Sequence, residues 1–270
     1  MLIRAMSFNL KRSRKKSGKF SWQVRYKSSG RLIQSLSPDI IGTQELTYEN
    51  ILLLCGILSE YDFCGIGRRG GIFGEHSAIF YKKNMFDLCE NGTFWLSTTP
   101  KTPSISWYTV FPRVCTWCVL KLKSGEFAGK KIRIYNTHLD CFSSVARMNG
   151  LALIRKMILE HNKKEKLPVI LTGDMNATPK SAVIRSVLEL KNSYDYLKQQ
   201  KKEIGASYHG YNGTTEGAPI DYIFTSSDII TKKLLIERNK VDGIYPSDHY
   251  PVIADLEVDF SHEALLCGSN

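Results

Sequence analysis

No apolar run in the 270 residues approaches the roughly 18 that a membrane-spanning helix needs. Runs such as Ile51–Cys55 and Leu151–Ile154 stop after four or five residues, so membrane insertion is not expected. A secretory signal is also missing: Arg4, Ser7 and Asn9 interrupt Met1–Leu10 where an apolar block of roughly 7–15 residues would be required. The seven cysteines are odd in number and scattered through apolar segments, which suits buried thiols in a reducing compartment rather than a disulfide framework. A cytoplasmic location is the expectation. Cys115 and Cys118 lie within the strand-like run Val114–Leu122, where residues three apart point to opposite faces, so the pair reads as core rather than as a redox or zinc motif. Internal repeats, low-complexity linkers, a serine-nucleophile motif and a glycine-rich phosphate loop are all absent. Acidic residues are absent from the first 38 positions.

What is present starts with that asymmetry. The chain has 37 Lys+Arg against 26 Asp+Glu, a formal charge of +11. Ten basic residues lie within positions 1–31 and the first acid is Asp39, which leaves 27 basic and 26 acidic residues beyond. The positive surplus is therefore local. With 43% hydrophobic and 23% charged residues the chain can bury one large core, which excludes disorder. A single domain over residues 1–260 and a tail over 261–270 are expected.

Strand-like runs recur at Leu2–Leu10, Ile40–Gln44, Tyr61–Ile66, Ser77–Tyr81, Thr116–Leu122, Ile132–His138, Val169–Gly173, Asp221–Thr225, Leu234–Arg238 and Val252–Val258. The clearest helix is Ser143–His161, with Ser143 or Ser144 as N-cap and Val145, Met148, Leu151, Ala152, Arg155, Ile158 and Leu159 on one mostly apolar face. Shorter helices are expected around Leu32–Leu36 and Ser181–Leu188. These elements predict an α+β fold of two packed sheets flanked by helices.

Polar residues close several of the apolar runs, where strand propensity alone disfavours them. Asn9, Glu45, Asn136 with His138, Asp174 with Asn176, Asp221, and Asp248 with His249 stand at six such ends. Any one of them is accounted for by a turn or cap. All six together point to a composite hydrolytic site around a hard metal ion.

The ordered set Ser7-Phe8-Asn9, Gln44-Glu45, Asn136-Thr137-His138-Leu139-Asp140, Gly173-Asp174-Met175-Asn176, Ile220-Asp221-Tyr222-Ile223 and Ser247-Asp248-His249-Tyr250-Pro251-Val252 resembles the endonuclease/exonuclease/phosphatase superfamily of DNase I-like enzymes. The motifs keep the family's order and span residues 7–252. The resemblance implies a four-layered α/β-sandwich, with two mixed β-sheets between helices, and divalent-metal-dependent cleavage of phosphate esters at one end of the sheets. Mg²⁺ is the implied metal and Mn²⁺ its substitute. Glu45 is then the leading metal ligand, with Asn9 beside it and Asp248 as a second carboxylate. By the same resemblance Asp174 orients and deprotonates water, and Asn176 holds a phosphoryl oxygen. Asp221 fixes His249, which acts as phosphate-binding cation or proton donor. His138 is a second candidate at the phosphate or leaving group. Arg113 matches a phosphate-gripping arginine of small family members. Asn136 supports the substrate side from behind, and His209 lies in a His-Gly stretch the family often carries near its substrate. The loop Gly65–Gly74, with Arg68 and Arg69, serves either a second phosphate or turn formation alone.

Asn176-Ala177-Thr178-Pro179 and Phe94-Trp95-Leu96-Ser97 resemble stretches of compact bacterial members and of deadenylase-like catalytic domains. The tryptophan signatures of inositol polyphosphate phosphatases are absent, and Lys11 stands where abasic-site endonucleases carry an acid. Because Lys11–Lys19 follows Asn9 directly, its six basic residues, Lys15 and Lys16 among them, are expected at the mouth of the site. They serve either a polyanionic substrate or solvation alone. A monomeric nuclease or phosphodiesterase is the first reading. A hydrolase of a small phosphorylated metabolite is the alternative, and a catalytically silent binding module a third.

Overall fold

The computed structural model describes residues 1–13 and 18–260. In chain order the elements are β1 (Leu2–Asn9), α1 (Trp22–Leu36), β2 (Ile40–Gln44), α2 (Tyr48–Cys55), β3 (Tyr61–Cys64), β4 (Ile79–Lys82), β5 (Phe86–Trp95) and β6 (Val114–Leu122). Then follow β7 (Lys131–His138), α3 (Ser144–Lys164), β8 (Val169–Asp174), α4 (Ala182–Arg185), β9 (Lys191–Asn192), α5 (Asp195–Gln199), β10 (Asp221–Thr225), β11 (Ile229–Ile236) and β12 (Val252–Val258). They build two six-stranded mixed sheets, ordered β11-β12-β1-β2-β4-β3 and β5-β6-β7-β8-β10-β9. The expected two-sheet sandwich is the observed one. The tail over 261–270 lies outside the described residues.

Each sheet has one parallel pair, β1 with β2 and β7 with β8, and its other pairings are antiparallel. A parallel pair needs a crossover, supplied by α1 in the first sheet and α3 in the second. In open α/β sheets ligands sit beyond the carboxyl ends of such strands. β1 packs across β8 and β10, and β2 across β7 and β8, so the two sets of carboxyl ends meet.

Alternation along β1 decides which side chains reach that meeting place. Met6, Phe8 and Leu10 join the core beneath α1 and α2, with Trp22, Ile33, Ile51 and Leu54. Ile3 and Ala5 belong to the core between the sheets, and the period of two places Ser7 and Asn9 on the same face. Asn9 therefore faces the second sheet.

The sheets are stapled just behind the site by Asn136. Its Nδ2 donates to Thr43 O at 2.8 Å and Ala78 O at 2.9 Å, and its Oδ1 accepts from Gln44 Nε2 at 2.8 Å and Thr172 Oγ1 at 3.1 Å. It is fully buried with its amide saturated, so its amide is spent on holding the two sheets together behind the cleft. Opposite it, Gly42 leaves the space that the staple fills: a Cβ there would collide with Thr172 Oγ1 and Asn136 Oδ1.

Besides α2, β9 and α5, which the sequence reading does not include, and β11, which starts five residues before the expected Leu234, three elements differ in instructive ways. Helix α1 starts ten residues before the expected Leu32, because its buried face carries Arg25, Ser28 and Ser29 beside Trp22, Leu32 and Ile33 and so reads as polar. Strand β5 is an edge strand whose alternation is broken by a bulge between Leu88 and Glu90. Helix α4 ends at Arg185, short of Leu188, although its cap Ser181 accepts the Ile184 amide at 3.3 Å as its sequence suggests. Ser143 caps α3 in the same way, accepting from Ala146 at 3.1 Å.

Gly42→Ala should lower the unfolding free energy in urea by about 2–3 kcal/mol, the upper range for a side chain forced into a packed interior. An alanine variant as stable as the wild type would mean that the sheets separate freely at this point.

Candidate active site

The meeting ends of the sheets form one cleft of about 990 Å³, lined among others by Glu45, Arg68, Arg113, His138, Asp174, Asn176, Tyr208 and His249. Asn9, Asp221 and Asp248 are buried next to these residues. Asn9 Nδ2 donates to Glu45 Oε1 at 3.1 Å and to Asp174 Oδ2 at 3.0 Å, joining the two sheets' carboxylates through one amide. Glu45, one residue past β2, has φ +67°, and Asn176 has φ +46°. A left-handed glutamate is strained, and such strain concentrates at functional sites.

Each carboxylate has a different environment. Burial works against ionisation of Glu45, yet Lys11, the Arg12 amide donating to Oε2 at 2.9 Å, and Asn9 together hold its carboxyl below the usual range. Asp174 is buried and faces Asp221, which pushes it up to about 7 despite the Asn176 amide on Oδ1 at 2.9 Å. Asp221 Oδ2 accepts from Ser207 Oγ at 2.7 Å and pairs with His249 Nδ1 at 2.9 Å. Burial alone would lower the His249 value, but Asp221, Asp174 and Asp248 outweigh it and raise it to about 10. His249 is thus an imidazolium held by Asp221, its Nε2 3.8 Å from Asp174 Oδ2. His138 is the opposite case. Burial first, then Arg113, His249, Arg68 and Lys11, keep it neutral, with Nε2 3.5 Å from Asp174 Oδ2.

Two groups can be weighed as metal ligands. Asp174, Asp221 and His249 have atoms within 4.8 Å of one another, but Asp221 is committed to Ser207 and to a charged His249, which repels a second cation. Glu45 and Asp248 instead converge on a cation already: Lys11 Nζ lies 3.9 Å from Glu45 Oε2 and 3.4 Å from Asp248 Oδ2. With the Asn9 amide nearby, this all-oxygen set suits a hard divalent ion.

Arginines line the other wall. Arg113 Nε reaches Asp140 Oδ2 at 3.4 Å, while Arg68 pairs with Glu75 at 2.7 Å and lies over the Phe111 ring at 4.7 Å. Both guanidinium groups are mostly buried yet border the cleft. The Gly65–Gly74 loop thus brings Arg68 and Arg69 to the border of the cleft. The expectation for His209 is corrected. It stacks on Tyr250 at 3.9 Å between centroids and does not line the cleft, whereas Tyr208 does, with its ring 5.0 Å from His249. In Ser207-Tyr208-His209 the alternation that buries Ser207 on Asp221 turns His209 away. Lys15 and Lys16 lie outside the described residues.

Sequence reasoning also missed Arg25. Fully buried on α1, it donates to Leu10 O at 2.9 Å, Lys11 O at 2.7 Å, Phe20 O at 2.9 Å and Pro246 O at 2.6 Å. One guanidinium thereby fixes both the segment after Asn9 and the segment before Asp248. Its spacing with Trp22, Ser29, Leu32 and Ile33 on one helical face is the available signal.

The comparisons agree with this geometry. The chain matches the Endonuclease/Exonuclease/phosphatase family over residues 6–249. It belongs to that family. Members are metal-dependent phosphoester hydrolases. A family protein of Bacteroides thetaiotaomicron superposes with a TM-score of 0.88 at 30% identity, covering 96% of this chain and 99% of that one. The mannosyl-6-phosphatase of Bacteroides thetaiotaomicron gives 0.87 at 30% identity, covering 94% and 99%. The catalytic domain of human Nocturnin, solved with a bound sulfate, gives 0.73 at 21% identity, covering 95% and 93%, a likeness of fold. Comparison with curated proteins yields no match. No helix among the described residues is long and apolar enough to cross a membrane.

The His249 value predicts a pH effect with a definite sign. A group raised from about 6.5 to about 10 on folding stabilises fully below the lower value and ceases to as pH rises through the upper one. In EDTA, urea unfolding of the wild type should therefore lose stability between pH 7 and 9 by up to about 1.4 kcal/mol per pH unit relative to His249→Gln. Parallel pH profiles for the two proteins would show that the imidazolium is not held.

Proposed function

We propose that this chain hydrolyses a small phosphomonoester with a divalent metal, Mg²⁺ or Mn²⁺, held by Glu45, Asp248 and Asn9. The observation that carries the reading is the convergence of Glu45 and Asn9 with Asp174, Asp221 and His249 at one cleft. The bound metal would neutralise phosphate oxygen and polarise the phosphorus centre. Asp174, under-neutralised by its own surroundings, accepts a proton from the attacking water, for which a carboxyl raised toward neutrality is suited. Asn176, whose amide is fixed on Leu139 O at 3.0 Å, keeps its remaining donor for a phosphoryl oxygen. His249, charged and oriented by Asp221, stabilises the negative charge that builds on the phosphoryl group. His138, neutral, is placed to donate to the leaving oxygen. Arg113 and Arg68, paired with Asp140 and Glu75 but bordering the cleft, are the guanidinium groups nearest to a bound phosphate.

Two further observations support a small substrate. The similar Bacteroides thetaiotaomicron structure is a mannosyl-6-phosphatase. Among the described residues, five of the seven N-terminal basic side chains are engaged: Arg4 with Asp255, Lys11 with Asp248, Arg12 with Glu75, Arg31 with Asp242, and Arg25 in the interior. On these two grounds the small-substrate reading is put ahead of the nuclease reading. The nuclease reading keeps one observation of its own. A second cavity of about 550 Å³ beside Lys11 and Arg12 is lined by Lys19, Phe20 and Tyr211, with Phe20 stacked on Tyr211 at 4.2 Å and half exposed, a surface on which a base can stack.

A panel of hexose phosphates, a diaryl phosphodiester and DNA and RNA oligonucleotides, each with Mg²⁺ or Mn²⁺, tests both. Turnover of a phosphomonoester well above that of oligonucleotides is expected, falling about 100-fold or more in Asp174→Asn and in His249→Gln. Oligonucleotide cleavage that weakens steeply with salt would instead favour the nuclease. Wild-type turnover by Asp174→Asn would overturn the mechanism.

A further inference from the structure

Two residues after Asn9 the chain places a lysine whose ammonium is turned inward. Lys11 Nζ lies 3.4 Å from Asp248 Oδ2 and 3.9 Å from Glu45 Oε2, between two carboxylates that are themselves largely buried. The backbone beneath it is built for this pose. Lys11 has φ +53°, a left-handed conformation disfavoured for lysine. Its amide donates to Asn9 Oδ1 at 3.0 Å, and its carbonyl accepts from Arg25 Nη2 at 2.7 Å. The preceding Leu10 carbonyl accepts from Arg25 Nη1 at 2.9 Å. Arg25 also holds Pro246 O at 2.6 Å, two residues from Asp248, so one buried guanidinium sets the distance between the lysine and its carboxylate. The side chain beyond this rigid base is 41% exposed and borders the cleft, and its flexible four-carbon stem can leave while the backbone stays.

We propose that the Lys11 ammonium is a resident cation of the Glu45–Asp248 pair, displaced when a divalent metal binds those carboxylates, and that Lys11 thereby sets the metal affinity of the site. The proposal rests on the metal reading above. Both cations neutralise the same oxygens, so they exclude one another. A tethered ammonium competes at high effective concentration, which weakens metal binding without any loss of ligands. It also removes the repulsion that two buried carboxylates would otherwise suffer in the metal-free protein. Arg12 is the natural control. It adjoins Glu45 in space and carries the same charge, but its guanidinium is spent on Glu75 at 3.1 Å and it reaches Glu45 only through its backbone amide.

The test is Mn²⁺ binding to EDTA-stripped protein, read from the free-Mn²⁺ resonance, for the wild type, Lys11→Met, Arg12→Met and Glu45→Gln. Lys11→Met is expected to bind Mn²⁺ at least ~10-fold more tightly than the wild type, and Arg12→Met about as the wild type does. In EDTA, Lys11→Met should also unfold at lower urea than the wild type, with the gap closing at saturating Mn²⁺. Equal or weaker binding by Lys11→Met, while Glu45→Gln abolishes it, would overturn the lysine assignment and leave the metal reading standing. The same gain in Arg12→Met as in Lys11→Met would reduce the effect to net charge and overturn the displacement. No Mn²⁺ binding by the wild type or Lys11→Met would overturn the metal reading, and the proposal with it.

Discussion

Negative charge leaves water only in the company of positive charge or hydrogen-bond donors, and this fold takes four carboxylates, Glu45, Asp174, Asp221 and Asp248, to one junction between its sheets. How each is answered decides what it can do. Asp221 receives a hydroxyl and an imidazolium, and becomes the fixed anion that keeps His249 charged. Asp174 receives two amide donors but is buried facing Asp221, which holds its carboxyl up at about 7. Glu45 is answered by an amide, a backbone N–H and a lysine, and stays ionised. Asp248 has the same lysine as its closest cation. One shared problem of burial thus yields four different chemical characters.

The scaffold exists to make that junction possible. Two crossovers, each joining a parallel pair, deliver the carboxyl ends of β1, β2, β7 and β8 to the same side. Asn136 then ties the sheets behind them, and Gly42 clears the volume that the tie occupies. Since the interior packs too tightly to deform continuously, the Asn9 amide can bridge Glu45 and Asp174 only where the sheets sit at this separation. The strain at Glu45 is tolerated for the same reason: the residues around it leave no cheaper backbone path.

Much of this was legible in the sequence because the site residues end strands. An apolar run that stops on Asn, Glu or Asp carries its own signal, and six such ends in family order point to fold and family together, with the residues at those ends lying in or beside one cleft. What was not legible depends on contacts between distant segments. Arg25 sits on a helical face whose serines hide its periodicity, and no local pattern says that its partners are the carbonyls of Leu10, Lys11, Phe20 and Pro246. His209 belongs to a His-Gly stretch that the family resemblance singles out, while the alternation of its own segment assigns Ser207 to Asp221 and Tyr208 to the cleft. Strand β5 was hidden by a bulge that breaks its period of two.

The positive surplus at the N-terminus shows the same limit most clearly. Counted along the chain, ten basic residues without an acid before Asp39 suggest a surface offered to a polyanion. In space, Arg4, Lys11, Arg12 and Arg31 each meet an acidic residue from far along the chain, Asp255, Asp248, Glu75 and Asp242. Arg25 meets none and is buried on backbone carbonyls instead. Among the described residues, four of the seven basic side chains before Asp39 are thus answered by acids that come later in the chain. Charge that is neutralised in pairs steers no substrate, whereas charge brought against the acids of the site changes their chemistry. Lys11 belongs to the second kind. Its position, two residues beyond a strand end that the fold must bring to the carboxylates, makes a basic residue there a participant in the site rather than a feature of the surface.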